Sequence, residues 1–187
     1  MVAGMDLRGE YQADNLRTVL CALDLLGEEP RFDALCHAAV ITGLRGRWET
    51  VCASPLTIAD IGHNPAALRR NFAQLEEMMA GGRFDKLIVI YGVMADKDLD
   101  GIIPLMPRKA EYFFATPDTP RALPANAILE RFKSAILSQA EELPPAAACA
   151  SVAEAHRRAA AAATERSLIY VGGSTFVVAD YLKLLQH

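Results

Sequence analysis

Four short clusters of polar residues contain the side chains of this sequence that could bind a ligand or take part in catalysis. The first lies in the stretch LTIADIGHNP and contains Asp60, Gly62, His63 and Asn64. A carboxylate, an imidazole and an amide follow an apolar run directly, and Pro65 then begins a helix-like pattern with Asn64 as its N-cap. Two interpretations are open: a ligand site between a strand and a helix, or a capped turn without chemistry.

The other three clusters also follow apolar runs. They are Asp96-Lys97-Asp98, Thr116 with Arg121, and Gly172-Gly173-Ser174. Taken alone, each of them is typical of a solvated loop or a turn. Because the carboxyl ends of parallel strands meet at one edge of an open α/β sheet, all four clusters should converge there. We therefore predict a site for a small anionic or nucleotide-like molecule, which the residues themselves do not identify.

The elements that position these clusters alternate between strands and helices. Apolar runs predict strands at residues 48–53, 56–59, 86–91, 112–116 and 167–171, and a weaker strand before Ser151. Helical spacing predicts helices after Asn64 and over residues 125–141, 151–164 and 174–186; the first should bury Leu68, Phe72, Leu75 and Met79. This alternation predicts a Rossmann-like α/β domain over about residues 48–187, a mostly parallel sheet with helices on both faces.

Residues 1–45 follow a different pattern, in which helices do not alternate with strands. A short strand is predicted at 5–11, and helices at 12–26, ended by Gly27, and at 31–42. We expect this segment, a short strand and two helices, to be the end of another domain.

The composition excludes several classes of protein. The chain has 187 residues, of which 52% are hydrophobic and 22% charged, and its formal net charge is −4. This balance gives no support for a nucleic-acid or anionic-membrane partner. The four cysteines are scattered without C-x-x-C spacing, and neither a secretory segment nor an 18-residue apolar run is present. We expect a cytoplasmic protein with reduced thiols.

Six motifs, in their order along the chain, resemble those of folylpolyglutamate synthase, a family of the Mur ligase superfamily that includes bifunctional dihydrofolate synthases. They are YQADN (11–15), GRW (46–48), DIGHNP (60–65), DKD (96–98), PRA (120–122) and GS (173–174). The D-x-G-H-N-P stretch with an upstream G-R-W is specific to the superfamily, and the Y-Q-x-x-N and D-K-D stretches favour the folyl branch. Ile61 departs from the small residue usual at its position.

The resemblance implies a domain organisation. Residues 46–187 correspond to a complete Mur ligase C-terminal domain, and residues 1–45 to the last part of the central ATPase domain. The sequence contains no phosphate-binding G-x-x-G-K-[ST] loop, which the family places in the central domain together with the magnesium ligands. We therefore expect a fragment that holds no metal and does not catalyse ligation alone, taken from an enzyme that is a monomer at full length.

The resemblance also implies the reaction and the nucleotide contacts. ATP phosphorylates a carboxylate of folate or dihydropteroate, and the amino group of L-glutamate then displaces phosphate to form an amide. Arg47 matches the arginine that reaches the ATP phosphates, Asp60 the aspartate at the ribose, and Asn15 the asparagine near adenine. His63 matches a histidine close to the phosphates. The simpler alternatives are a solvated linker arginine, a capping asparagine and a turn histidine bonded to backbone.

Three further residues match positions near the incoming amino acid. Lys97 and Ser174 could pair with a glutamate carboxylate, and Arg121 is a further candidate for that carboxylate. His63, Arg47 and Lys97 are the catalytic candidates. Two alternative functions stay open. One is a cell-wall ligase that adds an amino acid to a muramyl precursor, and the other is a non-catalytic Rossmann-like module that binds a nucleotide or an amino acid.

Overall fold

The computed structural model of the protein describes residues 4–139 and 142–186. They form two compact units, which divide between Glu49 and Thr50. The first unit contains three helices: α1 (Gln12–Leu26), α2 (Phe32–Cys36) and α3 (Ala38–Thr42). α1 has the predicted bounds, and Gly27 ends it in the left-handed conformation with φ of 69°.

Two predictions for the first unit are wrong. The stretch 5–11 is not a strand, because it bonds to helices instead of to another strand: the backbone N of Asp6 donates to Cys36 O over 2.8 Å, and its side-chain Oδ2 accepts from Val40 N. The helix predicted at 31–42 is broken at His37 into α2 and α3. Neither piece buries a residue, so packing does not hold a longer helix together.

The second unit is built on a six-stranded sheet. Its strands are β1 (Glu49–Ala53), β2 (Leu56–Asp60), β3 (Lys86–Tyr91), β4 (Ala110–Ala115), β5 (Ala146–Cys149) and β6 (Ser167–Gly172). Their order is β1-β2-β6-β3-β4-β5, and the neighbours from β2 to β5 are parallel. β1 joins β2 through only two residues, the hairpin length predicted at Ser54-Pro55. The predicted mostly parallel sheet is confirmed.

Helices cover both faces of this sheet, as predicted. They are α4 (Pro65–Ala80), α5 (Leu99–Ile102), α6 (Ala125–Leu137), α7 (Val152–Ala162) and α8 (Thr175–Leu184), with a short 3₁₀ helix at Ile103–Leu105. On one face Ile88, Ile90 and Val171 pack in one apolar cluster with residues of α7 and α8. On the other, aromatic rings pair with rings of helices, Tyr170 with Phe72 of α4 and Tyr112 with Phe132 of α6.

The helix ends agree with the sequence pattern with small differences. α6 ends at Leu137, and the last two residues of the helix predicted at 125–141 lie outside the described residues. Leu68, Phe72 and Leu75 of α4 are buried, whereas Met79 is half-buried. All four cysteines are free thiols. Within the described part of the chain, every helix is too short or too polar to span a lipid bilayer.

Candidate functional site

The four polar clusters predicted to converge do lie along one edge of the sheet. β2, β6, β3 and β4 are adjacent and parallel, and their ends are level: Asp60 is opposite Gly172, Gly172 is opposite Tyr91, and Tyr91 is opposite Phe114. The segments that follow these residues therefore leave the sheet side by side. We refer to this side as the carboxyl edge.

Asp60 is the last residue of β2 and its side chain is buried, with the residue only 1% exposed. Its Oδ1 accepts hydrogen bonds from the backbone N–H of Gly62 and from Nδ2 of Asn71, each over 2.7 Å. A Cβ on Gly62 would lie 2.8 Å from that oxygen, so a glycine is needed beside the carboxylate. The local fold therefore holds one carboxylate oxygen firmly at the carboxyl edge.

The turn after Asp60 has the predicted helix start. The Oδ1 of Asn64 accepts from Ala67 N over 2.9 Å, and Pro65 is the first residue of α4. His63 is exposed, and its Nδ1 lies 3.1 Å from the carbonyl oxygen of Ile61. Because a carbonyl only accepts, Nδ1 must carry the proton, and Nε2 is left for a ligand. His63 thus forms the backbone hydrogen bond of the simpler alternative and still leaves Nε2 for a ligand.

The loops after β3 and β4 are joined by backbone hydrogen bonds. Met94 and Ala122 form an isolated antiparallel bridge, and Ala95 N donates to Arg121 O over 2.9 Å. This pairing brings the side chains of Lys97 and Arg121 to the same carboxylate, that of Asp96. Lys97 Nζ lies 3.5 Å from one of its oxygens, and Arg121 Nη2 lies 3.4 Å from both.

The charges around Asp96 lower the pKa of its carboxyl group below the usual value. Desolvation acts in the opposite direction and raises it, but it is outweighed by the residue's own backbone N–H and by the charges of Lys97 and Arg121. All three side chains are at least partly exposed. The arrangement shows that two cations at this edge share one carboxylate.

Two other residues of the predicted clusters have structural bonds. Asp98 is the N-cap of α5, where its Oδ1 accepts from Gly101 N over 2.9 Å. Thr116 accepts at Oγ1 from Ala125 N, the first residue of α6, over 2.9 Å. Both side chains shape the loops at the carboxyl edge.

Ser174 is the N-cap of α8 and is buried, with its Oγ accepting from Val177 N over 3.1 Å. The hydroxyl proton stays available to donate to an acceptor. Gly173 precedes it with φ of +94°, and a Cβ there would lie 2.5 Å from Cε2 of Tyr91. Only glycine fits this turn, which aligns the N-terminus of α8 with the edge.

Asn15 and Arg47 lie in the first unit, and the other five predicted site residues lie in the second. Asn15 is inside α1 and does not cap it; its Nδ2 donates to Oε1 of Gln12 over 2.8 Å. Arg47 is half-buried between two residues in the left-handed region, Gly46 with φ of 70° and Trp48 with φ of 53°. The guanidinium of Arg47 has no hydrogen-bond or ion-pair partner among the residues that the structure describes.

Two further residues of the site, Asn71 and Tyr170, lie outside the predicted clusters. Asn71 is fully buried in α4, and its Nδ2 contacts both Asp60 and the hydroxyl of Tyr170. The available signal was an amide on the apolar stripe of an amphipathic helix, between Leu68 and Leu75. No group of three or more His, Cys, Asp or Glu side chains in residues 4–139 and 142–186 could hold a metal ion.

A family model agrees with this arrangement of a parallel sheet with polar loops at its carboxyl edge. The model described as "Mur ligase, glutamate ligase domain" matches residues 46–175. The chain belongs to this family. Its matched residues contain six of the seven predicted site residues; Asn15 lies before them.

Curated relatives of this Mur ligase domain are ligases of two kinds. The "Dihydrofolate synthase/folylpolyglutamate synthase" of Escherichia coli is 27% identical over 91% of this chain and 37% of its own length. The "Probable bifunctional folylpolyglutamate synthase/dihydropteroate synthase" of Halobacterium salinarum is 28% identical over 93% of this chain and 20% of its own length. The "UDP-N-acetylmuramoyl-L-alanyl-D-glutamate--2,6-diaminopimelate ligase" of Chromobacterium violaceum is 34% identical over 66% of this chain and 25% of its own length.

Solved structures agree with the Mur ligase domain assignment. E. coli FolC in complex with DHPP and ADP matches with a TM-score of 0.71 and 26% identity, over 90% of this chain and 38% of that one. A bifunctional folylpolyglutamate synthase/dihydrofolate synthase with Mn, AMPPNP and L-glutamate bound matches with a TM-score of 0.64 and 27% identity, over 77% and 32%. The resemblance to folylpolyglutamate synthases is confirmed, and the chain spans less than two fifths of the length of the curated folylpolyglutamate synthases above.

Proposed function

We propose that this chain is the C-terminal part of an ATP-dependent ligase that adds L-glutamate to a carboxylate of folate or dihydropteroate. The observation that carries this proposal is the carboxyl edge, where a buried carboxylate lies at the end of β2 and two cations lie in the loops after β3 and β4. Asp60 is fixed at the end of β2, and Lys97 and Arg121 share Asp96 beyond β3 and β4. Relatives over most of this chain are named folylpolyglutamate synthases.

Four residues are proposed to contact the nucleotide. In this proposal Asp60 accepts a hydrogen bond from a ribose hydroxyl, and the doubly protonated ring of His63 donates from Nε2–H to the phosphates. Arg47 supplies a guanidinium, which can bind phosphate oxygens through two parallel hydrogen bonds. Its lack of a partner among the described residues leaves that group available. Asn15 is proposed to lie near adenine.

The incoming glutamate would be held at the neighbouring loops. Lys97 and Arg121 pair with its carboxylates, and the Ser174 hydroxyl donates a further hydrogen bond. Asp96 keeps the two cations close together in the free protein, so that they are positioned before the substrate arrives. The amine of glutamate is then free to attack the acyl phosphate formed from ATP and the folate carboxylate.

The phosphate-binding loop and the Mg²⁺ ligands would lie elsewhere, in the central ATPase domain that the relatives' length allows. We propose that residues 1–45 are the end of that domain and that residues 46–187 are the C-terminal domain. Large apolar side chains of the first unit support this, because Leu25 is 86% exposed, Val40 79% and Phe32 66%. Contact with a further domain would cover such exposed side chains.

The cellular setting follows from the same proposal. We propose that the full-length ligase is a cytoplasmic monomer whose partners are small molecules. The formal charge of −4 favours neither nucleic acid nor an anionic membrane as a partner.

A ligation assay tests the proposed function. The assay uses a longer polypeptide in which a central ATPase domain precedes this chain. It is incubated with ATP, Mg²⁺, L-glutamate and either dihydropteroate or tetrahydrofolate, and products are identified by mass spectrometry. We expect glutamylated products from that polypeptide and none from the 187-residue chain alone. Glutamylation by the chain alone, or its absence from the longer polypeptide, would contradict the proposal.

A cell-wall ligase is the second candidate, and one observation favours it. The diaminopimelate ligase of C. violaceum is 34% identical, a higher figure than the 27% of the E. coli folate enzyme, although over a shorter part of the chain. The same assay with UDP-muramyl peptide and diaminopimelate separates the two candidates. Product from the muramyl substrates alone would replace the folate assignment.

A further inference from the structure

We propose that Asn71 is a positioning residue: its side-chain amide, backed by the hydroxyl of Tyr170, holds Asp60 in the orientation that receives a nucleotide ribose. This inference rests on the proposed function, in which Asp60 contacts the ribose. It adds two residues that lie outside the six motifs of the sequence and that act through Asp60 instead of touching the ligand.

The amide of Asn71 is used completely as a donor. Its Nδ2 lies 2.7 Å from Oδ1 of Asp60 and 3.0 Å from the hydroxyl oxygen of Tyr170, so each of its two hydrogens has an acceptor. The opposite orientation of the amide would place an oxygen against the Asp60 carboxylate, where neither atom could donate. The contacts therefore determine the orientation of Asn71.

The position of Asn71 in α4 is costly for stability. The residue is fully buried among Leu68, Phe72 and Leu75, and its Oδ1 has no hydrogen-bond partner among the described residues. A buried amide oxygen without a partner destabilises a fold, whereas a leucine would continue the apolar stripe. The benefit that offsets this cost is the pair of donated hydrogen bonds.

The hydroxyl of Tyr170 has a prepared place in the sheet. Tyr170 lies on β6 two residues before Gly172, and a Cβ on Gly172 would lie 2.6 Å from the tyrosine oxygen. The ring also packs edge-on against Phe72, with centroids 6.0 Å apart. Gly172 therefore leaves room for the hydroxyl, whose oxygen accepts the second hydrogen bond of the Asn71 amide.

Together these contacts fix the plane of the Asp60 carboxylate. Gly62 N–H comes from the turn after β2, and the Asn71 amide comes from α4, so Oδ1 is held from two separate elements. Fixing Oδ1 also sets the direction of the second oxygen, because the carboxylate is planar. Without Asn71 we expect the carboxylate to rotate and to lose a defined geometry toward a ribose hydroxyl.

The test compares ADP with 2′,3′-dideoxy-ADP, which lacks both ribose hydroxyls, by NMR titration of the 187-residue chain. NMR can measure the millimolar dissociation constants that we expect of a chain with only part of a nucleotide site. We expect the wild-type chain to bind ADP about tenfold more tightly than the dideoxy analogue, the effect of one hydrogen bond to a charged group. Asp60→Ala should bring this ratio close to one.

The variant Asn71→Leu should lower the same ratio at least threefold while leaving the affinity for dideoxy-ADP unchanged. Tyr170→Phe keeps the ring and should lower the ratio less than Asn71→Leu does. If the ¹H–¹⁵N spectrum shows that Asn71→Leu is unfolded, Tyr170→Phe tests the positioning role instead. Glu77→Leu puts the same new side chain on an exposed position of α4 and should leave the ratio unchanged.

The positioning role is overturned if the ratio of the two affinities is lost in Asp60→Ala but is unchanged in folded Asn71→Leu. If only Tyr170→Phe folds, an unchanged ratio in that variant has the same meaning. Either result leaves the proposed function intact. A wild-type chain that binds both nucleotides equally, or not at all, or an unchanged ratio in Asp60→Ala, contradicts the ribose contact itself. In that case both the proposed nucleotide site and this inference are wrong.

Discussion

Arg121 and Asp96 connect the loops that follow two neighbouring strands, with Nη2 of Arg121 lying 3.4 Å from both carboxylate oxygens of Asp96. Lys97, the next residue along the chain, contacts the same carboxylate, with its Nζ 3.5 Å from Oδ2 of Asp96. In the proposed function, a substrate carboxylate would contact these same two cations. We expect Asp96 to hold the two cations at the carboxyl edge.

The pKa of Asp96 should be below its ordinary value, because the charges of Lys97 and Arg121 and a backbone N–H outweigh desolvation. A lowered pKa in the folded state means that the contribution to stability is present above the unfolded pKa and is lost as the pH falls through the folded pKa. A ¹³C-detected titration of the Asp96 carboxyl measures it directly. We expect the midpoint to rise in Arg121→Ala and in 1 M salt; a midpoint at or above the ordinary value would contradict this account.

Removing the cation of Arg121 should weaken glutamate binding specifically. In the ligase polypeptide, we expect Arg121→Ala to raise the KM for glutamate about tenfold, the effect of one charge-assisted hydrogen bond, and to leave the KM for ATP unchanged. Arg166→Ala is a matched control, because Arg166 forms an equally exposed pair with Asp85, 3.0 Å apart, near the start of β3. Equal effects of the two substitutions would show that Arg121 has no special role.

Arg47 should matter for turnover much more than for stability. Its guanidinium has no partner among residues 4–139 and 142–186, so Arg47→Ala should change the free energy of unfolding by less than about 0.5 kcal/mol. If the guanidinium binds transferring phosphate, kcat of the ligase should fall at least about 100-fold, and Arg47→Lys should restore little of it.

The control for Arg47 is its neighbour Arg45, whose Nε donates to Glu49 over 2.6 Å. Arg45→Ala should leave kcat nearly unchanged. A large fall in the unfolding midpoint of Arg47→Ala, with full specific activity in the folded fraction, would make Arg47 a structural residue.

Gly173 should tolerate no side chain. Its φ is +94°, and a Cβ would lie 2.5 Å from the Tyr91 ring and 2.6 Å from the carbonyl oxygen of Gly92. Combined backbone strain and overpacking predict that Gly173→Ala costs about 3 kcal/mol of unfolding free energy. Gly82 also has a positive φ, of +73°, but open space around it, so Gly82→Ala should cost only about 1 kcal/mol. Urea unfolding of both variants checks the difference, and equal losses would argue against the close packing at Gly173.

The sheet could be predicted from the sequence because its strands are short apolar runs between polar turns. KLIVIY, at Lys86–Tyr91, is buried on both faces, and such a run has few alternatives in a chain of alternating elements. The convergence of Asp60, Lys97 and Ser174 then followed from the parallel arrangement alone, since strand ends of one direction share an edge.

The other features of the fold and the site depend on contacts between residues that no repeating sequence pattern indicates. The bridge between Met94 and Ala122, which brings Arg121 to Asp96, joins two irregular loops. α2 and α3, on either side of the break at His37, contain no fully buried residue, and this depends on tertiary packing. Asn71 was detectable as an amide on an apolar helix face, but its partner Tyr170 is 99 residues away in sequence.

The most direct test of the central claim, that the carboxyl edge binds the substrates of a ligase, is chemical-shift mapping of ADP and L-glutamate on the ¹⁵N-labelled 187-residue chain. We expect ADP to shift the amide signals of Gly62 and His63, and glutamate to shift those of Lys97 and Arg121. A cleft lined by Met79, Met106 and Arg108, near the opposite ends of β3 and β4, serves as an internal reference. Shifts confined to that cleft, or no shifts at saturating ligand, would contradict the assignment of the carboxyl edge.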